Sequence, residues 1–100
     1  MSCEIRFTES ALDDLLRLYE FLADEDINVA RQARMAIHKA MDVLADMPFV
    51  GRMIDRKHPL MRELIITFGS RGYVALYEIE TQALITVYAF RHQRERDYYL

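Results

Sequence analysis

The chain has one cysteine, no tryptophan, two prolines and three glycines in 100 residues. A lone cysteine, Cys3, excludes an internal disulfide, and a reducing compartment suits it. So few glycines and prolines exclude a low-complexity or collagen-like chain. No uncharged apolar run is long enough to span a bilayer, and "MSCEIRF" lacks the apolar stretch of a secretory signal. A cytoplasmic protein is expected. Neither sign of charge prevails: 13 basic side chains face 16 acidic ones, for a formal net charge of −3. That is not the balance of a strongly basic nucleic-acid binder. There is no glycine-rich phosphate loop and no serine-centred nucleophile motif. His38, His58 and His92 share no metal-like spacing. Neither a cofactor nor a metal is expected.

What is present is a globular composition, 52% apolar and 29% charged. One hundred residues suit a single domain covering 1–100. The charge is uneven. Residues 1–50 carry ten acidic and five basic side chains, and residues 51–100 carry six and eight. A polyanion would meet only the second half, and a protein partner fits at least as well.

"CEIRF" alternates apolar and charged residues with the period of a half-buried strand. Thr8 reads as a helix N-cap, with Glu9 at the positive end of the helix dipole. Ala11, Leu15, Leu18 and Leu22, with a second row of Leu12, Leu16, Tyr19 and Ala23, form one broad apolar stripe. "ADEDIN" interrupts it, and Asp26 or Asn28 can cap a second helix. That helix carries Val29, Ala33, Ala36, Ile37, Ala40, Met41 and Leu44, and Pro48 stops it. The short link implies an antiparallel helix hairpin. "MPFVGRMIDRKHP" reads as a long loop, a common place for function. "LMRELIITF", "YVALYEI" and "ALITVYAF" then read as a three-stranded antiparallel meander with turns at "GSRG" and "ETQ". The expected class is α+β, with the helix pair on one sheet face.

The closing "FRHQRERDYYL" gathers three arginines, a histidine and two tyrosines at a strand end. His92 between Arg91 and Arg94 could move protons near neutral pH, with its neutral form favoured by the flanking cations. RNA chemistry would want such a group, cations for developing phosphate charge from Arg62, Arg91, Arg94 or Lys57, and a stacking tyrosine. The plainer reading is a solvated strand end. Arg62 and Glu63 fall on opposite sheet faces, and Arg62 reads as either a structural pair or an anion ligand.

Several motifs resemble the RelE/ParE superfamily of bacterial type II toxins. They are Thr8, Ala11, Asp14 and Leu15; Tyr19; "P-F-V-G-R" with Leu44 before it; "R-E-L" at 62–64; "G-Y-V-A-L-Y-E-I"; and the closing "R-H-Q-R-E". They recur in order over nearly the whole chain. The resemblance implies a helix hairpin on a twisted, mostly antiparallel sheet, a cognate antitoxin, and a history in plasmid stabilisation. RelE-like members cut ribosome-bound messenger RNA, whereas ParE-like members inhibit DNA gyrase. Tyr73 is followed by Val74, where the RNA-cleaving branch usually has an arginine, and the only lysines are Lys39 and Lys57. The likeness therefore leans to ParE. It implies a target-binding set of Arg91, His92, Arg94, Arg96, Tyr98 and Tyr99. An RNA-cleaving alternative would use Arg62, His92, Arg94 and Tyr98. Leu18, Tyr19 and Leu22 are the candidate antitoxin contacts, and a toxin–antitoxin hetero-oligomer is expected.

Overall fold

The computed structural model describes residues 2–95 and residue 98. Its elements are β1 (Glu4–Phe7), α1 (Glu9–Glu25), α2 (Ile27–Asp46), β2 (Arg52–Met53), β3 (Met61–Phe68), β4 (Arg71–Thr81) and β5 (Leu84–His92). The sheet order is β1-β5-β4-β3-β2. β1 runs parallel to β5, and every other pairing is antiparallel. The expected α+β architecture stands, with one addition and with the expected first strand now placed. The 47–60 loop contributes the two-residue strand β2, and β1 closes the far edge beside β5.

Local chemistry sets the helix ends. The Thr8 hydroxyl accepts from the Ala11 N–H at 3.1 Å, filling one of the free donors of the first turn of α1. Asp26 alone joins the helices. Its N–H donates to the Leu22 carbonyl and closes α1, while its carboxylate accepts from the Asn28 N–H and opens α2. A one-residue joint forces an antiparallel hairpin. Ala30 and Ala33 are buried on α2, as small side chains must be for close helix contact.

The core lies between the hairpin and the sheet. β4 supplies Tyr73, Ala75, Tyr77 and Ile79, and β5 supplies Ile85, Val87 and Phe90. Strict alternation would put Val87 and Phe90 on opposite faces. The register shifts opposite Leu76 and Tyr77, so that Tyr77 pairs with Val87 while Leu76 pairs with Ala89. This bulge leaves Tyr88 as the extra residue, and both apolar side chains then reach the helices. Tyr88 donates to Glu78 at 2.8 Å, and that bond foremost raises its pKa to about 12.

β1 ends at Phe7, which leaves the last part of β5 without a strand neighbour on that side. The start of α1 substitutes for one. The Thr8 N–H donates to the Val87 carbonyl, its hydroxyl to the Tyr88 carbonyl, and the Phe90 N–H donates to Asp14 Oδ2 at 3.0 Å. Asp14 is 3% exposed, and burial pushes its carboxyl above the ordinary value against the pull of the Phe90 N–H and Arg17. Among the described residues no helix is long and apolar enough to cross a membrane.

Candidate functional site

Three polar regions stand out, the first two adjoining through Arg52 and the third at the far end of the molecule. At one end of the molecule, residues 47–60 join α2 to β3. Their backbone is fastened from below. Buried Tyr77 accepts from the Gly51 N–H at 2.9 Å and donates to the Pro48 carbonyl at 2.7 Å. Arg62 donates to the carbonyls of Pro59, Phe49 and Gly51 and lies 5.0 Å from the Phe49 ring centre. The guanidinium that sequence reading offered as either a salt bridge or a phosphate ligand is instead a clamp on loop carbonyls.

On the sheet face opposite the helices, Glu63 gathers a cluster. It pairs with Arg52 at 3.0 Å and Arg91 at 3.6 Å, and it accepts from the Tyr98 hydroxyl. The Arg91 guanidinium also donates to the Glu95 carbonyl at 2.6 Å and lies 5.2 Å from the Tyr98 ring centre. Val74 and Leu76 are buried on this same face. Burial works to raise the Glu63 pKa, but Tyr98, Arg52 and Arg91 outweigh it, and the net direction is down. Tyr98 moves up, first through burial and then through its bond to Glu63. Because its folded value lies below the ordinary 4.5, Glu63 adds stability above that pH and loses it as pH falls through the lowered value. Glu63→Gln leaves the largely buried Arg91 without a counter-charge among the described residues. It is expected to cost about 2 kcal/mol at neutral pH and much less in acid. Urea unfolding of both proteins across the acid range reads this. An equal cost at every pH would mean that the charge on Glu63 is not the stabilising feature.

At the other end, by the hairpin joint and the β3–β4 turn, an open cleft of about 940 Å³ includes Arg17, Phe21, Arg71, His92 and Arg94 in its lining. Arg71 pairs with Glu25 and Arg17 with Glu95, both at 3.1 Å. The His92 ring meets Tyr73 edge-on at 5.9 Å, and its Nδ1 accepts from the Arg94 N–H at 3.1 Å. That bond leaves Nε2 as the protonated nitrogen of the neutral ring. Arg94 is exposed.

The proposed site residues are thus dispersed. His92 and Arg94 share the cleft. Arg91 and Tyr98 belong to the Glu63 cluster on the opposite sheet face. Arg62 stands across from Tyr77 and His92 across from Tyr73, so about 13 Å of strand separates their levels, with β4 between them. Arg96 and Tyr99 lie outside the described residues.

Leu18 and Leu22 are buried in the core, and Tyr19 is half-buried. All three line a groove of about 430 Å³ between α1 and α2, together with Leu16, Arg34 and Ile37. The apolar side chains that the hairpin exposes most are Leu12, Leu16, Phe21 and Met35. Leu12 and Leu16 belong to the second row of the stripe, which proves too wide for the sheet to cover. Sequence reading missed Asp14 and Glu63 as organising residues. For Asp14 the signal was a carboxylate one turn into the apolar stripe, where it had to be buried with a partner.

A two-helix hairpin on one face of a sheet ordered β1-β5-β4-β3-β2 is the architecture of a RelE/ParE-type toxin domain. A family model described as the ParE toxin of the type II toxin–antitoxin system parDE matches residues 5–97. The chain is also 34% identical over 83 residues to Toxin RelE3 of Caulobacter vibrioides (strain ATCC 19089 / CIP 103742 / CB 15), covering 83% of this chain and 86% of that protein. The chain belongs to the ParE toxin family of type II toxin–antitoxin systems, and that family implies a cognate antitoxin.

Proposed function

We propose that the chain is a ParE-like toxin of the cytoplasm that binds and inhibits DNA gyrase and is neutralised by its cognate antitoxin. One observation carries this reading over RNA cleavage. The four groups a nuclease would need are apart: Arg62 is spent on loop carbonyls, Tyr98 is held by Glu63, and only His92 and Arg94 share a cleft. General acid–base catalysis requires acid, base and charge-stabilising groups within hydrogen-bond reach of one phosphate. Recognition of a protein surface has no such requirement, and arginine and aromatic anchors suit it.

In this reading His92 and Arg94 contact the target directly, whereas Arg91 and Tyr98 are engaged in the Glu63 cluster. Arg96 and Tyr99 remain in the proposed contact set. The antitoxin lies along the hairpin groove, where Tyr19 and Leu16 meet an apolar helix face. Removal of one exposed anchor costs on the order of 1–2 kcal/mol of binding, so Arg94→Ala is expected to weaken gyrase inhibition about tenfold and leave thermal stability unchanged. A supercoiling assay checks it. Full inhibition by the variant would remove Arg94 from the contact surface. Cleaved message on ribosomes, lost in His92→Ala, would instead favour the RelE-like reading.

A further inference from the structure

We propose that the 47–60 loop is a second contact surface of the toxin, built to dock on an acidic protein face that offers an apolar recess. The proposal rests on the reading of the chain as a toxin that acts by protein contact.

The loop combines two properties that a mere connector does not need. First, its backbone is held rigid. Five hydrogen bonds from or to the side chains of Tyr77 and Arg62 reach Pro48, Phe49, Gly51 and Pro59. The Asp55 carboxylate caps its own turn through the Lys57 N–H, and the Ile79 N–H holds the Leu60 carbonyl. Second, its apolar side chains are about half exposed. Phe49 is 60% exposed, Ile54 50%, Met53 47%, Val50 44% and Leu60 43%. Scattered exposed apolar residues are ordinary, but several on one short pinned segment form a patch. A segment ordered in advance loses little further entropy on binding.

Charge selects the partner. Within the loop, residues 47–60, three basic side chains stand against one acidic, in a chain whose net charge is −3. Arg62 is turned inward and Arg52 is paired with Glu63, which leaves Arg56 and Lys57 as the exposed cations of the loop beside its apolar side chains. Carboxylates on the partner complement that rim and speed encounter. A nucleic acid would satisfy the cations but leave Val50, Met53, Ile54 and Leu60 facing phosphates, and the Phe49 ring already carries the Arg62 guanidinium. The loop sits beyond the C-terminus of α2, whereas Leu16, Tyr19, Arg34 and Ile37 of the groove lie about midway along the two helices. Arg52 shares Glu63 with Arg91 and Tyr98, so the loop surface runs on into the C-terminal cluster.

The test uses the full chain with two paired variants, Met53→Ser with Ile54→Ser, and Arg56→Glu with Lys57→Glu. Growth arrest on induction, affinity for the co-expressed cognate antitoxin, inhibition of purified gyrase, oligomeric state and melting temperature are measured for each. Loss of a central apolar anchor or of rim charge predicts that each pair weakens arrest about tenfold or more, with melting temperature and antitoxin affinity unchanged. Unchanged arrest overturns the proposal. So does a parallel loss of antitoxin binding, which would assign the loop to the antitoxin, or a wild-type dimer that the variants dissolve, which would assign it to a second copy. Wild-type arrest without gyrase inhibition sinks the gyrase reading alone, since arrest still judges the loop. A wild type that leaves growth unaltered removes both.

Discussion

Gly51→Ala is expected to destabilise the protein by about 3 kcal/mol, which for a domain of this size lowers the melting temperature by roughly 12–24 °C. A methyl group at Gly51 would stand 2.5 Å from the Tyr77 hydroxyl and 2.7 Å from both the Tyr77 ring and the Glu63 carbonyl. Neither obstacle is a flexible side-chain end. Tyr77 is completely buried in the core, and the Glu63 carbonyl belongs to the backbone of β3. The chain must therefore move away, and the move breaks the Gly51–Tyr77 hydrogen bond and strains the three Arg62 contacts. Gly69 offers the contrast. Nothing lies within 4 Å of its missing side chain, but its φ of +54° belongs to the left-handed region. Gly69→Ala should cost about 1 kcal/mol through conformation alone. Thermal unfolding of the two variants separates steric from conformational cost. A Gly51→Ala protein as stable as Gly69→Ala would mean that the loop is not docked on Tyr77. The same variant should lose growth arrest, because the loop would no longer be held in one shape.

Asp14→Ala is expected to cost about 2–3 kcal/mol, whereas Asp14→Asn should stay within about 1 kcal/mol of the wild type near neutral pH. Alanine strands the buried Phe90 N–H without an acceptor. Asparagine keeps an oxygen there and removes a charge that burial disfavours. The pH dependence follows from the direction of the shift. The Asp14 pKa in the folded protein lies above 3.8, so between those values the folded state binds more protons than the unfolded one. Its contribution is therefore full below 3.8 and declines as pH rises through the raised value. Glu63 acts in the opposite sense. Asp14→Asn should remove the Asp14 part, so that its stability relative to wild type improves from acid to neutral pH. Urea unfolding over that range is the measurement. An asparagine variant as damaged as the alanine one would show that the ion pair with Arg17, not the acceptor on Phe90, carries the stability.

Much of this was readable from residue pattern. Period and caps gave both helices, and Thr8 caps α1 as the sequence implied. Asp26 caps α2 and also closes α1. Three consecutive β-branched and aromatic runs gave the meander. The features that escaped are those that depend on more than one segment. β2 is two residues long and exists only because β3 lies beside it. The Tyr88 bulge depends on the register with β4, which no local period encodes. Arg62 looked like a salt-bridge or anion-binding residue because its sequence neighbours say nothing of the carbonyls that the loop folds against it. The C-terminal cluster divides for the same reason. Arg91 and His92 are adjacent in sequence, but strand alternation sends one to Glu63 and the other to the cleft.

Toxicity through contact, not catalysis, is the central claim. Its most direct test is a titration of gyrase supercoiling with the purified chain, with and without the cognate antitoxin. Inhibition that saturates at a fixed ratio of toxin to gyrase and is reversed by antitoxin is the expected result. Undiminished supercoiling at large excess, with message cut on ribosomes in parallel, would contradict it.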